Sequence, residues 1–189
     1  SDLEILPYNE WAGGSIIPEL LAAFVLPSHP DLPPILSQAA QYLDRETGDS
    51  ALSGYQSGDP SRVLRIAAAI YRAVQDADIN YINPQASFET NGQKIRTPDQ
   101  ILSQKAATCL DLACFIAGAL EACGLHPIIV LVEGHAFAGV WLHEVGFQHP
   151  TLDDPLFLTK RIELDEITVF DSTAMLQDVD FNQARHIAF

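Results

Sequence analysis

The stretch Thr108-Cys109-Leu110-Asp111-Leu112-Ala113-Cys114-Phe115-Ile116-Ala117-Gly118-Ala119-Leu120-Glu121-Ala122-Cys123-Gly124 decides the kind of fold this chain adopts. From Leu110 to Cys123 it is apolar on almost every face, with Asp111 and Glu121 its only charges. A helix with no polar side belongs at the centre of a core. Thr108 is suited to the N-cap, Asp111 three residues on is an acidic variant of the capping box, and Gly124 is suited to the stop. Cys109 then falls in the first turn, where unpaired backbone N-H groups and the helix dipole favour an anion, the form in which a thiol is a nucleophile. Cys114 and Cys123 fall inside the helix as core residues.

Downstream the pattern changes from helix to strand. Ile128 to Val132 is a continuous β-rich apolar run, Ala136 to Leu142 is apolar on both faces, and Ile167 to Phe170 is a third run. His135, just after Gly134, stands at the start of the second strand, and Asp171 ends the third. Antiparallel pairing of those strands brings His135 and Asp171 to one edge of the sheet. Between them, Gly146 to Thr159 reads as a long loop containing His149-Pro150 and Asp153-Asp154-Pro155.

Upstream the chain reads as helical with proline punctuation. Ser15 to Leu26 is a short apolar segment ended by Pro27 and expected to be a packing helix. Pro33-Pro34 opens another, with Ile35, Leu36, Ala39, Ala40 and Leu43 at helical spacing before Gly48. Asp59-Pro60 is an N-cap followed by proline at the first helical position, and Val63, Ile66, Ala67, Ile70 and Val74 form one stripe, a helix to about Ala77. Ser87 to Arg96 carries Asn91-Gly92, a hairpin-turn signal, and Thr97-Pro98-Asp99 begins a short helix. The expected fold class is α+β in one domain, a helical part over about 1–80 and a central buried helix packed on an antiparallel sheet over about 81–189.

Bulk properties narrow the function classes. With 25 acidic and 10 basic residues the formal charge is −15, which repels phosphate backbones, and no Lys/Arg cluster interleaves with aromatics. Direct nucleic acid contact is not expected. The apolar runs are far shorter than the roughly 18 residues that span a bilayer, so no membrane segment is expected. Neither a basic n-region nor an apolar h-region opens the chain, and three clustered cysteines do not form a disulfide framework. A cytoplasmic, reducing location follows as the expectation, with a free thiol. The start without Met and the end at Phe189 suggest a piece of a longer protein.

The placement of Cys109, His135 and Asp171 supplies a thiol, an imidazole to accept and return its proton, and a carboxylate to fix the imidazole tautomer. Each residue alone has a plainer reading: a buried cysteine, a strand histidine, a turn aspartate. Their joint placement argues for a catalytic site that needs no cofactor. A donor for the developing oxyanion is expected from the Cys109 backbone N-H and from Gln93 or Gln104, with Gln93 preferred because Gln104 suits a solvent-facing helix turn. Trp141, Phe137 and Tyr81 are the candidate cleft walls for a protein or peptide substrate.

The same residues resemble a known family. Thr108-Cys109-Leu110-Asp111-Leu112-Ala113, with Ala119-Leu120 and Gly124-Leu125-His126-Pro127 after it, looks like the nucleophile helix of transglutaminase-like cysteine proteases, which have a papain-related fold. Gly134-His135-Ala136-Phe137, followed by Trp141, is similar to that family's histidine strand, and Phe170-Asp171-Ser172-Thr173 to its aspartate followed closely by threonine. The order Cys, His, Asp matches, and the resemblance covers roughly residues 93 to 175. One position departs: Ala107-Thr108 stands where family members often carry a glycine just before the cysteine. More loosely, Asn9-Glu10-Trp11-Ala12-Gly13-Gly14, Gly54-Tyr55-Gln56 and Gly92-Gln93-Lys94-Ile95-Arg96 resemble a bacterial transglutaminase-like region of large helicase-associated proteins. That resemblance implies covalently linked helicase or nuclease domains in a longer chain.

Three other readings compete with a cysteine protease or amidase. The thioester intermediate could be resolved by an amine, as in a cross-linking transglutaminase, although a second channel for the amine has no signature here. The fold could serve as a catalytically silent peptide-binding domain. A zinc site among Cys109, Cys114, Cys123, His126, His135 and His143 fails on spacing, since no C-x-x-C occurs and Cys114 and Cys123 cannot chelate together from one helix.

Overall fold

Local sequence sets the helix boundaries of the computed structural model, which describes residues 8–13, 18–84 and 92–188. Helix α1 (Leu32–Thr47) has Pro33-Pro34 in its first turn and stops at Gly48, whose φ of +74° closes the helix with a left-handed residue. Helix α2 (Pro60–Gln75) starts where the Asp59 carboxylate accepts the Ser61 N-H, and it buries Val63, Ile66, Ala67, Ile70 and Val74 as one stripe. Helix α3 (Pro98–Gln104) is capped by Thr97, and helix α4 (Cys109–Ala122) by Thr108. Every α4 residue from Cys109 to Leu120 is buried, as its lack of a polar face requires.

The segment from Ser15 to Leu26 departs from the helix expected there. Prolines at 18 and 27 leave little room for regular turns, and Pro18–Phe24 forms a 3-10 helix with only Leu21 buried. Residues 14–17 lie outside the described residues. The expected Asn91-Gly92 hairpin cannot be assigned, because Asn91 lies outside them as well. The residues just beyond it take a distant partner: β1 (Glu10–Trp11) and β3 (Gln93–Lys94) pair antiparallel, Glu10 opposite Lys94 and Trp11 opposite Gln93. A second small ribbon joins β2 (Asn80–Tyr81) to β4 (Ala106–Ala107) in parallel, Tyr81 opposite Ala107.

The main sheet has the order β5-β6-β7, antiparallel throughout: β5 (Pro127–Val132), β6 (His135–Trp141) and β7 (Ile167–Phe170). The β5–β6 turn passes through Gly134, at φ +75°. Along β6, Ala136, Ala138 and Val140 are buried on one face, while Trp141 joins Ile167 and Val169 in a cluster on the other. Gly139 is required by packing, since a Cβ there would lie 2.7 Å from the Thr168 carbonyl oxygen and 2.8 Å from Ile128 Cγ1. The structure is therefore α+β, with α4 against the sheet and α1 and α2 behind α4.

Two helices replace parts read as loop or left unassigned. Gly146 to Thr159 contains the start of α5 (Pro155–Glu163), capped by the Asp154 side chain on Leu156 N-H. Asp154-Pro155 is the same signal as Asp59-Pro60, but α5 buries no residue, so no apolar stripe marks it. Helix α6 (Phe181–Ala188) buries Phe181 and Ala184, and its Phe181 ring packs against Phe170 and Tyr71. The largest core cluster draws on α1, α2, α4, β6, β7 and α6 together. No helix among the described residues is long and apolar enough to cross a membrane.

Candidate active site

Cys109 is the first residue of α4 and 7% exposed. The backbone just before it is extended, and a reciprocal cap holds the turn: Thr108 Oγ1 accepts the Asp111 N-H at 3.2 Å, and Asp111 Oδ2 accepts the Thr108 N-H at 2.9 Å. Asp111 is fully buried, and an uncompensated charge there would be costly. Arg96 compensates it, donating its backbone N-H to Oδ1 at 2.8 Å and Nη1 to Oδ2 at 3.1 Å. The segment that carries β3 is thereby clamped to the start of α4. An acid in the first turn of a helix that is apolar on almost every face demands a nearby cation, and that was the signal by which Arg96 could have been found.

The other two thiols have inert surroundings. Burial pushes the Cys123 thiol up to about 11, and burial first and the Asp111 charge second push Cys114 higher still. Both are protonated at neutral pH, which removes them as nucleophiles.

His135 opens β6, and Asp171 follows the last residue of β7. Antiparallel pairing puts these ends side by side. His135 Nε2 lies 3.1 Å from Asp171 Oδ2. The other carboxylate oxygen accepts both the N-H and the hydroxyl of Thr173, each at 2.7 Å, so the carboxylate is held in place from both sides. Facing a carboxylate, which only accepts, Nε2 is the donor, and Nδ1 is left as the acceptor. No hydrogen bond reaches Nδ1 among the described residues. Ala136, next to His135, shares a buried cluster with Cys109, Leu110 and Ala113, so the histidine end of β6 packs at the cysteine end of α4.

The remaining candidates divide. Tyr81 is beside the thiol: its strand pairs with Ala107, and Ile82 N-H donates to the Ala107 carbonyl at 3.0 Å. The ring is 47% exposed, but its hydroxyl is held above the usual tyrosine range, by desolvation first, then by the charge of Cys109 and a hydrogen bond to it, then by Asp171. It is a neutral donor beside Cys109. Phe137 packs edge-on against the His135 ring, with centroids 5.4 Å apart. Gln93 reaches the start of α4, its Nε2 donating to Thr108 Oγ1 at 3.0 Å. Gln104 does not. It ends α3 on the exposed side and accepts from Arg96 Nε at 3.2 Å. Trp141 does not join the site either, because it closes β6 roughly 20 Å of strand away from His135. It is buried against Phe147, Ile167 and Val169, where it supports the far end of the sheet.

Among the described residues, the side chains grouped as metal ligands would be lie elsewhere, at His29, Asp31 and Asp99. There His29 Nδ1 accepts the Asp31 N-H at 3.3 Å while Nε2 faces Asp99 at 3.3 Å. The ring's opposite edges are thus both engaged, and the group acts as a pin between the loop before α1 and the start of α3. Comparison of the chain with family models, with curated proteins and with solved structures returns no match, so the functional reading rests on the chain's own geometry and chemistry.

Proposed function

We propose that this chain is a thiol-dependent acyl-transfer enzyme, a cysteine protease or amidase built as one transglutaminase-like, papain-related domain, with Cys109 as nucleophile, His135 as base and Asp171 as its orienting group. The observation that carries the reading is the 3.1 Å contact of His135 Nε2 with Asp171 Oδ2, which leaves Nδ1 without a hydrogen bond among the described residues, on a strand packed against the helix that Cys109 opens. Three unpaired cysteines favour a reducing, cytoplasmic location.

The chemistry follows from the roles. His135 Nδ1 takes the Cys109 proton, and the sulfur attacks the carbonyl carbon of a peptide or side-chain amide. The C=O electron pair moves onto oxygen. When it returns, the C-N bond breaks and the amine leaves with the proton from His135, giving a thioester on Cys109. Water, deprotonated by the same imidazole, then attacks the thioester and releases the acid and the thiol. Water is the favoured acceptor because selecting an amine requires a second channel that excludes water.

The test is the reactivity of one thiol. Iodoacetamide at neutral pH, read by peptide mass spectrometry, is expected to label Cys109 faster than a free model thiol while Cys114 and Cys123 stay unmodified. Labelling of Cys109 no faster than the model thiol would overturn the proposal. Mass analysis of candidate peptides, with and without added amine, is expected to show acid products that disappear in Cys109→Ala. Identical behaviour of wild type and Cys109→Ala would leave a silent peptide-binding domain.

A further inference from the structure

Helix α4 carries Cys109 at one end, and at the other end, about 20 Å away at the rise of a helix, its last turn walls a cavity of about 320 Å³. One wall is Ala122, Cys123 and Gly124, the other is the loop 52–56, and Glu144 completes the lining. The carbonyl oxygens of Ala122, Cys123 and Gly124 accept no hydrogen bond among the described residues, because the chain turns into β5 where a further helical turn would have supplied donors. Two of these oxygens face the loop: a Cβ on Gly54, at φ +57°, would lie 2.9 Å from the Cys123 oxygen and 3.0 Å from the Gly124 oxygen. Glycine is what lets the loop come this close. Tyr55 pins the same loop, its hydroxyl accepting the His126 N-H at 3.0 Å and donating to the Trp141 carbonyl at 2.8 Å. The turn that carries Glu144 is fixed as well, since the His126 ring donates from Nδ1 to the Val145 carbonyl at 2.7 Å. Glu144 enters no ion pair among the described residues. Burial raises the Tyr55 hydroxyl above its ordinary range, the His126 N-H opposes this, and the Glu144 charge adds to it, so the carboxylate is felt at the pinned loop.

The cavity thus gathers acceptors without a matching donor: the negative end of a helix, unused carbonyls and an unpaired carboxylate, with no Lys or Arg in the lining. Leu52 and Ala122 add an apolar strip beside them. Such a lining suits a cation on an aliphatic stem. A guanidinium fits better than an ammonium, because it spreads five N-H donors over a plane, accepts nothing and is more weakly hydrated.

We propose that this cavity binds an arginine side chain presented by a basic protein or peptide, its guanidinium held between Glu144 and the carbonyls that end α4 and its stem on Leu52 and Ala122. The formal charge of −15 draws basic partners toward the chain, and the cavity supplies a place for one residue of such a partner. The site lies at the opposite end of α4 from the thiol and does not depend on Cys109 being a nucleophile.

The experiment is a ¹H–¹⁵N NMR titration of the whole chain with N-acetyl-arginine amide, at about pH 7.5, where an ordinary histidine is mostly neutral. Saturable shifts are expected at the amides of Gly54, Tyr55, Gly124 and Val145, with those around Cys109 unmoved. N-acetyl-citrulline amide, which has the same outline without the charge, is expected to move none of them. Glu144→Gln, a change at an exposed side chain, is expected to weaken binding by about 5-fold, the upper end of what an exposed ion pair supplies. No saturable shift at the cavity, equal shifts with citrulline, or unchanged affinity in Glu144→Gln would each overturn the proposal. Shifts of the same size at acidic residues elsewhere on the surface would reduce the effect to non-specific attraction and overturn it too. N-acetyl-lysine amide binding as tightly as the arginine compound would overturn the guanidinium assignment.

Discussion

Asp171 divides its two oxygens between two partners, Thr173 on Oδ1 and His135 on Oδ2. Asp171→Asn keeps an acceptor for Thr173 but turns an N-H₂ group toward His135, which forces the proton onto Nδ1 and removes the acceptor for the thiol. On the proposed function, acetylation of Cys109 by p-nitrophenyl acetate is therefore expected to fall by about 10²- to 10⁴-fold, while stability in urea changes by less than about 1 kcal/mol. Loss of stability in proportion to activity would make Asp171 a turn residue. At this scale the sequence was informative in proportion to how local each role is. Cys109, Thr108 and Asp111 sit within four positions of a helix start, and capping chemistry names them. His135 and Asp171 were legible because strand ends can be counted. Trp141 was placed wrongly as a cleft wall because it shares a strand with His135, and a seven-residue strand carries its last side chain to the other end of the sheet.

Among the elements, α4 and the segment before α3 depend on each other through Arg96 and Asp111. The Arg96 side chain is 9% exposed in this pair and Asp111 is fully buried. Asp111→Ala leaves a guanidinium buried without its counter-charge and removes one half of the Thr108 cap. A loss of about 3–5 kcal/mol is expected, read as a lower urea midpoint at constant slope. The double variant Arg96→Leu with Asp111→Leu is expected to regain part of that loss, because two apolar groups need no counter-charge. Additive losses would mean that the pair is not coupled. The element pattern explains which helices were legible: α1, α2 and α4 carry a cap together with a buried stripe or an all-apolar body. Helix α5 carries only the cap, since its burial is incomplete on every side, and periodicity has nothing to register there.

For the whole molecule, the buried acids of the core set an upper limit in pH. Burial holds Cys123 at about 11 against an ordinary 9.0, and it moves Cys114 and Tyr71 upward in the same direction. Between the unfolded and folded values the folded chain keeps protons that the unfolded chain has released. Stability is thus fully present below about pH 9 and falls as pH rises toward 11. Urea unfolding at pH 8, 9 and 10.5 should show that decline, and Cys123→Ala should flatten part of it while lowering stability at all three. A flat or rising profile would contradict the burial of these groups. By itself the sequence determined the α+β class, the central helix, the three main strands and the thiol at a helix start, because caps, periodicity and apolar runs are written over neighbouring residues. Only the tertiary structure decided that β1 joins β3, that Arg96 meets Asp111 and that Tyr81 borders Cys109. Those contacts join residues far apart in the chain. They follow from how the ribbons and α4 pack in three dimensions, for which no local pattern carries a signal.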